Sequence, residues 1–226
     1  MKKEWWTVRA PGMFSKRDFT ISPVNQTAGE KLASDNIKGR VYTVSLGDLS
    51  NFAPHKKVKL IVDEEADKGS KVALTNFYGL DTTRDHTSAI IKKWHSTIES
   101  FVDAKTTDGF LLRVFIFATT KKKRGQQKAT SYAQQSQVKQ IRKIIQNVVS
   151  KTIKKSTLKD LVPKLLAEPN QITEEITTKA DKIFPIQNCI IRKVKTIKRA
   201  KFDIAQLLNI QTEDTTVLVP PTKEDA

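Results

Sequence analysis

The sequence predicts an α+β fold: a mixed or mainly antiparallel β-sheet, or a partial barrel, with packed amphipathic helices, an extended basic N-terminal arm and a mobile acidic C-terminal tail. Three observations predict it. Between residues 39 and 120, short β-branched or alternating runs are separated by Gly, Pro and charged clusters. An Asp-Gly pair, Asp108-Gly109, sits between two apolar runs and marks a hairpin. Beyond residue 130, apolar residues recur at helical spacing instead. The chain divides accordingly into an arm (1–38), a β-rich core with one helix (39–120), a basic loop followed by helices and a basic strand (121–211), and a tail (212–226).

The first 38 residues show little periodicity. They carry Lys2, Lys3, Arg9, Lys16 and Arg17 among Trp5, Trp6, Phe14 and Phe19, broken by Pro11-Gly12 and Pro23, which reads as an extended arm packed along another molecule. Three strands then follow at 41–46, 58–62 and 72–77. Thr82-Thr83-Arg84-Asp85 resembles a capping box, and Ile90, Ile91, Trp94, Ile98 and Phe101 share one face at helical spacing; an amphipathic helix covering the sheet is expected there. Residues 102–105 and 110–118 form the predicted hairpin, and its second strand, apolar except for Arg113, should be central in the sheet.

After Thr120 a basic loop, Lys121-Lys122-Lys123-Arg124-Gly125, leads to a helix over about 132–152. Val138, Ile141, Ile144, Ile145, Val148 and Val149 form its apolar stripe, and at 100° per residue Lys139, Arg142 and Lys143 fall opposite. Two shorter helices are expected at 157–166 and 173–183, divided by Pro169. A strand over 186–197 should alternate Ile191, Lys193 and Lys195 against Arg192, Val194 and Thr196. A short helix at 202–208 precedes the acidic, Pro-containing tail.

Composition narrows the function. Of 226 residues, 40 are Lys or Arg and 24 Asp or Glu, a net charge of +16 with 38% hydrophobic residues. That is enough apolar content for a modest core. The charge is concentrated. No Asp or Glu occurs between residues 109 and 159, where Arg113, Lys121, Lys122, Lys123, Arg124, Lys128, Lys139, Arg142, Lys143, Lys151, Lys154, Lys155 and Lys159 give +13. A second acid-free stretch, 182–202, adds +7 through Lys182, Arg192, Lys193, Lys195, Lys198, Arg199 and Lys201, so the remainder carries −4. Such concentration opposes folding by self-repulsion unless a polyanion neutralises it, and nucleic acid is the commonest such partner. Lys and Arg neutralise phosphates, and Trp5, Trp6 or Tyr132 beside them can stack on unpaired bases. The two tryptophans suit a protein groove equally well.

Other chemistries are poorly supplied. No run approaches the roughly 20 apolar residues of a spanning helix, and the start does not read as a secretion signal. The single cysteine, Cys189, excludes an internal disulfide and Cys-rich zinc patterns and suits a reducing compartment; it reads as a buried structural thiol. His55, His86 and His95 lack metal-ligand spacing and read as loop or helix-surface residues. Asp63, Glu64, Glu65 and Asp67 are numerous enough for a two-metal nuclease, but strand alternation sends neighbours to opposite faces, so they read as a solvated strand end and turn. No phosphate-cradling or nucleophile-elbow motif occurs. Neither cofactor nor metal is expected.

Longer strings carry a specific resemblance. Trp5-Trp6-Thr-Val-Arg-Ala-Pro-Gly-Met-Phe14, Ala33-Ser-Asp-Asn-Ile-Lys-Gly-Arg-Val-Tyr-Thr-Val-Ser-Leu-Gly-Asp-Leu49, Leu74-Thr-Asn-Phe-Tyr-Gly-Leu-Asp-Thr-Thr-Arg-Asp85, Lys92-Lys-Trp94, Val102-Asp-Ala-Lys-Thr-Thr-Asp-Gly-Phe-Leu-Leu-Arg113, Thr130-Ser-Tyr-Ala-Gln134, Val138-Lys-Gln-Ile-Arg-Lys143, Ile190-Ile-Arg-Lys-Val-Lys195 and Lys201-Phe202-Asp203 resemble the small-subunit ribosomal protein family called S-three-a, or eS-one, of eukaryotes and archaea. The likeness runs from about residue 5 to 208.

The resemblance implies a non-enzymatic, cytoplasmic constituent of the small (40S) subunit that supports translation and passes through the nucleolus during assembly. It implies a place on the platform near the messenger exit, against the 3′ region of the small-subunit RNA, beside neighbouring platform proteins, messenger RNA and initiation factor three, with neither membrane attachment nor self-association. Carried over by position, the implied RNA contacts are Lys121, Lys122, Lys123, Arg124 and Lys128, then Lys139, Arg142 and Lys143, then Arg192, Lys193 and Lys195. Arg40 and Arg84 match too, though each serves equally as an internal salt-bridging arginine. To these the basic and aromatic pattern adds Lys2, Lys3, Trp5, Trp6, Arg9, Lys16, Arg17, Tyr132, Lys198 and Arg199 as RNA-binding candidates. Family members usually carry a longer Lys-rich extension before the Trp pair, whereas this chain begins four residues ahead of it. The alternatives from other classes are an RNA-processing enzyme using Asp63, Glu64 and Glu65, and a basic membrane-surface or interaction protein using the 138–149 helix, whose apolar side lacks Trp and Phe.

Overall fold

A computed structural model describes residues 2–27, 32–50, 52–65 and 71–200. Eight strands, β1 (Lys3–Arg9), β2 (Asp18–Asn25), β3 (Val41–Ser45), β4 (Lys56–Glu65), β5 (Val72–Thr82), β6 (Thr97–Lys105), β7 (Leu111–Thr120) and β8 (Ile186–Lys198), join into one sheet. The sheet is open, mixed and mostly antiparallel, so of the two sheet forms expected, the partial barrel is not the one adopted. Its main path is β2-β1-β5-β8-β7-β6, with β4 on the other edge of β5 and β3 beyond it. β5 organises this arrangement. One edge pairs with β4 along most of its length; the other is shared, Val72–Leu74 lying parallel to β1 and Gly79–Asp81 antiparallel to β8.

The helices are α1 (Ala33–Ile37), α2 (Leu46–Ser50), α3 (Arg84–Ile90), α4 (Gln135–Lys155), α5 (Leu158–Leu166) and α6 (Gln171–Ala180). α4 lies against β6 and α6, and α6 against β8. The expected stripe of α4 is buried at Val138, Ile141, Ile145, Val148 and Val149, and Ile153 extends it. Those residues share one core with Leu60 and Leu80, Ile98 and Val102, Leu112, Val114 and Ile116, and Ile191 and Val194. A smaller cluster, Trp6, Val8, Val24, Ala33, Ile37, Val62 and Ala73, lies under the first hairpin. Asn170 joins α5 to α6: its amide donates to Lys164 O (2.8 Å), and its side-chain oxygen accepts from Ile172 N (2.9 Å).

Three expectations are corrected. The arm is a β-hairpin built into the sheet, with Lys3 opposite Asn25 and Thr7 opposite Ile21. Pairing within it and with β5 satisfies the backbone that a free arm leaves to solvent or a partner, and Trp6, Val8 and Val24 anchor it. The helix expected over 82–101 stops at Ile90, and its Thr83 side chain makes no cap bond. From Thr97 the chain is a strand with strictly alternating burial, since Ile98, Ser100, Val102 and Ala104 also satisfy a period of two. In β8 a register shift opposite Phe115/Ile116 inserts Arg192, so Ile191 and Val194 face the same core while Lys193 and Lys195 face outward. The predicted hairpin is present, with Gly109 in the left-handed region (φ 89°), and β7 lies between β8 and β6 as a central strand. The 202–208 helix and the 212–226 tail fall outside the described residues.

Candidate nucleic-acid interface

The loop between β7 and α4 is held by its backbone and by Gln126. Lys121 N donates to Pro185 O (2.9 Å), Lys123 N to Gln126 Oε1 (3.3 Å), and Gln126 Nε2 reaches the carbonyls of Lys128 and Thr130. Gly125 supplies the left-handed turn residue (φ 75°). This leaves Lys121, Lys122, Lys123, Arg124 and Lys128 all exposed. None of the five forms an ion pair among the described residues; Lys123 lies over the Phe184 ring at 5.1 Å.

α4 contains no acidic residue, so its cations cannot pair along the helix at i,i+4. Lys139, Arg142, Lys143, Lys151, Lys154 and Lys155 are exposed, away from the buried stripe, and Tyr132 just before the helix is exposed as well. Among the described residues only Arg142 is tethered, donating from Nε to Glu99 O (3.1 Å). Loop and helix contain no acidic residue of their own and present their cations to solvent, with the exposed phenol of Tyr132 between them.

The cations on β8 and just beyond it differ. Lys193 pairs with Asp81 (3.0 Å), Arg192 with Glu99 (3.5 Å) and Arg199 with Asp63 (2.6 Å). Such exposed pairs are worth little in water, so they are exchangeable rather than fixed. Lys195 and Lys198 have no ion pair among the described residues. At the N-terminus Lys2, Lys3, Lys16 and Arg17 are exposed, and Trp5 is 64% exposed. Trp6, its neighbour across the pleat, is 4% exposed and cannot offer a face to a base. Arg9 bonds to Asp18 (2.8 Å), which raises the guanidinium and lowers the carboxyl. Arg40 donates to Asn36 O, Ser22 Oγ and Pro23 O, tying the start of β3 to β2. Arg84 is exposed.

Sequence reasoning missed two features. Phe101 and Phe115 face each other across β6 and β7 on the uncovered side of the sheet, ring centres 6.2 Å apart; reading Phe101 as a helix residue hid them. His55 and His86, read only as loop or helix-surface residues, stack at 4.1 Å beside a cavity of about 230 Å³ that Cys189 also lines. His55 Nε2 and the buried Lys56 both contact Glu168 Oε1, at 2.9 and 2.8 Å. Burial pushes the Glu168 carboxyl up, but its bonds to Lys56 and His55 prevail and hold it below its ordinary value. Burial, then the nearby His55, pushes His86 down. Burial pushes the Cys189 thiol up to about 12, so it stays protonated and is a poor nucleophile.

Asp63 is engaged by Asn76 (2.8 Å) as well as Arg199, Glu64 and Glu65 continue β4, and Asp67 lies outside the described residues. Among the described residues no group of three or more His, Cys, Asp or Glu is placed to hold a metal ion, and no helix is long and apolar enough to cross a membrane.

The fold is an α+β scaffold with one face packed by helices and with cations gathered on a loop and the outer side of a helix, a surface whose charge is complementary to that of a polyanion. The Ribosomal S3Ae family model matches residues 1–200, and the chain belongs to that family. It is 43% identical over 227 residues to the small ribosomal subunit protein eS1 of Plasmodium vivax (strain Salvador I), a match covering 100% of this chain and 82% of that relative.

Proposed function

We propose that this chain is a structural constituent of the small ribosomal subunit that holds ribosomal RNA through the 121–128 loop and the outer side of α4. Family membership and the eS1 likeness support the subunit assignment. The observation carrying the RNA assignment is the cationic surface of an acid-free segment: 11 exposed cations from Lys121 to Lys155, none in an ion pair among the described residues, on a loop and helix whose other sides are anchored in the core. Unpaired cations on a rigid support lose no partner when phosphate arrives, and released counterions drive the association.

In this reading the protein carries out no chemistry. It positions RNA by phosphate contact, with Tyr132 available for stacking and the paired arginines Arg192 and Arg199 exchanging carboxylate for phosphate. The 3′ region of the RNA, neighbouring platform proteins, messenger RNA and initiation factor three are the partners we assign, in the cytoplasm and, during assembly, the nucleolus. Replacing Lys121, Lys122, Lys123 and Arg124 by Ala tests it. The variant should melt like wild type but co-sediment less with small subunits, and its RNA affinity should fall less steeply with salt, by about 0.9 in log–log slope for each phosphate no longer neutralised. Unchanged sedimentation and slope defeats the assignment.

A further inference from the structure

The side of the sheet opposite the helices presents a patterned surface. Along one row lie Phe101, Phe115, Lys193, Asp81 and Lys57, each the register partner of the next, and along the neighbouring row Asp103, Arg113, Lys195, Gly79 and Lys59. Phe101 is 55% exposed and Phe115 half-buried beside it. Arg113 sits 5.3 Å from the Phe101 ring centre and Lys195 5.8 Å from that of Phe115. Gly79, with no side chain, floors a cleft of about 240 Å³ bordered by Lys59, Tyr78, Lys193 and Lys195.

We propose that this open face binds unpaired RNA nucleotides, with Phe101 and Phe115 as the stacking platform and Lys195 as the nearest phosphate partner. The inference rests on the RNA-binding reading above and gives that function a second, single-strand-selective surface. Charge decides between occupants. With Arg192 beside them, the two rows hold six cations, Lys57, Lys59, Arg113, Arg192, Lys193 and Lys195, against the carboxylates Asp81, Glu99 and Asp103. The carboxylates are engaged by Lys59, Arg113, Arg192 and Lys193, which leaves Lys57 and Lys195 with no ion pair among the described residues. An apolar protein partner has to strip water from all of these, and interface cores are depleted in charge for that reason. A nucleotide brings a π-face for the rings and a phosphate for the surplus cations together. A duplex hides its base faces and offers the rings nothing.

The test uses the full chain and two labelled RNAs of equal length, a single-stranded oligonucleotide and a self-complementary hairpin, with affinity read by fluorescence anisotropy over a salt series. Phe101→Ala should weaken single-strand binding about 5- to 150-fold, the range for loss of one base–aromatic stack, and leave hairpin binding unchanged. Phe101→Leu, which keeps an apolar side chain but no ring, should lose as much, and Phe101→Trp should retain affinity. Lys195→Ala should flatten the single-strand salt slope by about 0.7. Wild-type affinity for the single strand in Phe101→Leu, or equal losses on both RNAs in Phe101→Ala, overturns the platform alone. Wild-type protein that binds neither RNA overturns the RNA-binding reading and this inference together. Unchanged affinity for both RNAs with reduced incorporation into subunits shows a protein-docking face, and the proposal fails.

Discussion

On the covered face of the sheet Ile98, Leu112, Val114, Ile116 and Val194 share a core with the stripe of α4, whereas on the open face Phe101, Arg113, Phe115, Lys193 and Lys195 meet solvent. The same strands supply both sets, because successive residues point to opposite sides of a pleated sheet. The covered face is apolar and closely packed, and stability resides there. The open face is stitched by weak ion pairs with rings set between them, so its side chains contribute little to holding the fold. The basic side of α4 repeats the division within one helix.

The sharpest way to break this contrast is to excavate the covered face. Ile145, wholly buried on α4, replaced by Ala should cost about 2–5 kcal/mol, measured by denaturant unfolding; a loss under about 1 kcal/mol shows that the helix does not seal the sheet. Gly79→Ala comes next. Its added Cβ lies 2.7 Å from the Val194 carbonyl oxygen, so β5 and β8 must separate, at a cost of about 1–3 kcal/mol, and the melting midpoint should report it.

A pH-gated effect follows. Folded His86 has its pKa pushed below the ordinary 6.5, so the unfolded chain binds more protons, and stability that is complete above about pH 6.5 should decline as pH falls below it. His55, Lys56 and Glu168 face it. Glu168, also lowered, adds a further loss at more acid pH, as pH falls through its folded value. Melting midpoints at pH 7.5 and 5.5 should differ less in His86→Asn than in wild type. The smallest change should be on the open face itself, where Phe101→Ala is expected to shift unfolding free energy by no more than about 0.5 kcal/mol. A larger shift means that the rings are core rather than a platform.

Much of this was legible from local pattern. The three strands of residues 41–77, the Asp-Gly hairpin, the central position of β7 and the stripe and basic side of α4 follow from periods of 2 and 3.6 with their turn residues. The unpaired cations of the loop and α4 were legible for a related reason, since a segment without acidic residues has no local partners for its charges. Misreadings came where one string satisfies two periods. Ile90, Ile91, Trp94, Ile98 and Phe101 fit a helix, but residues 97–105 also alternate, and pairing with β7 decided between them. The Trp5-Trp6 pair looked like one feature, yet strand geometry buried one ring and exposed the other.

The sequence by itself determined the fold class, the family and the acid-free segments, because composition, periodicity and long strings are properties of neighbours along the chain. Only the tertiary structure decided that the first residues complete the sheet, that Arg40, Asp63 and Trp6 are engaged internally, and that Phe101 meets Phe115 in the open. Those outcomes depend on register between strands far apart in sequence, and a shift of one residue, such as the bulge at Arg192, reverses which side chains face water.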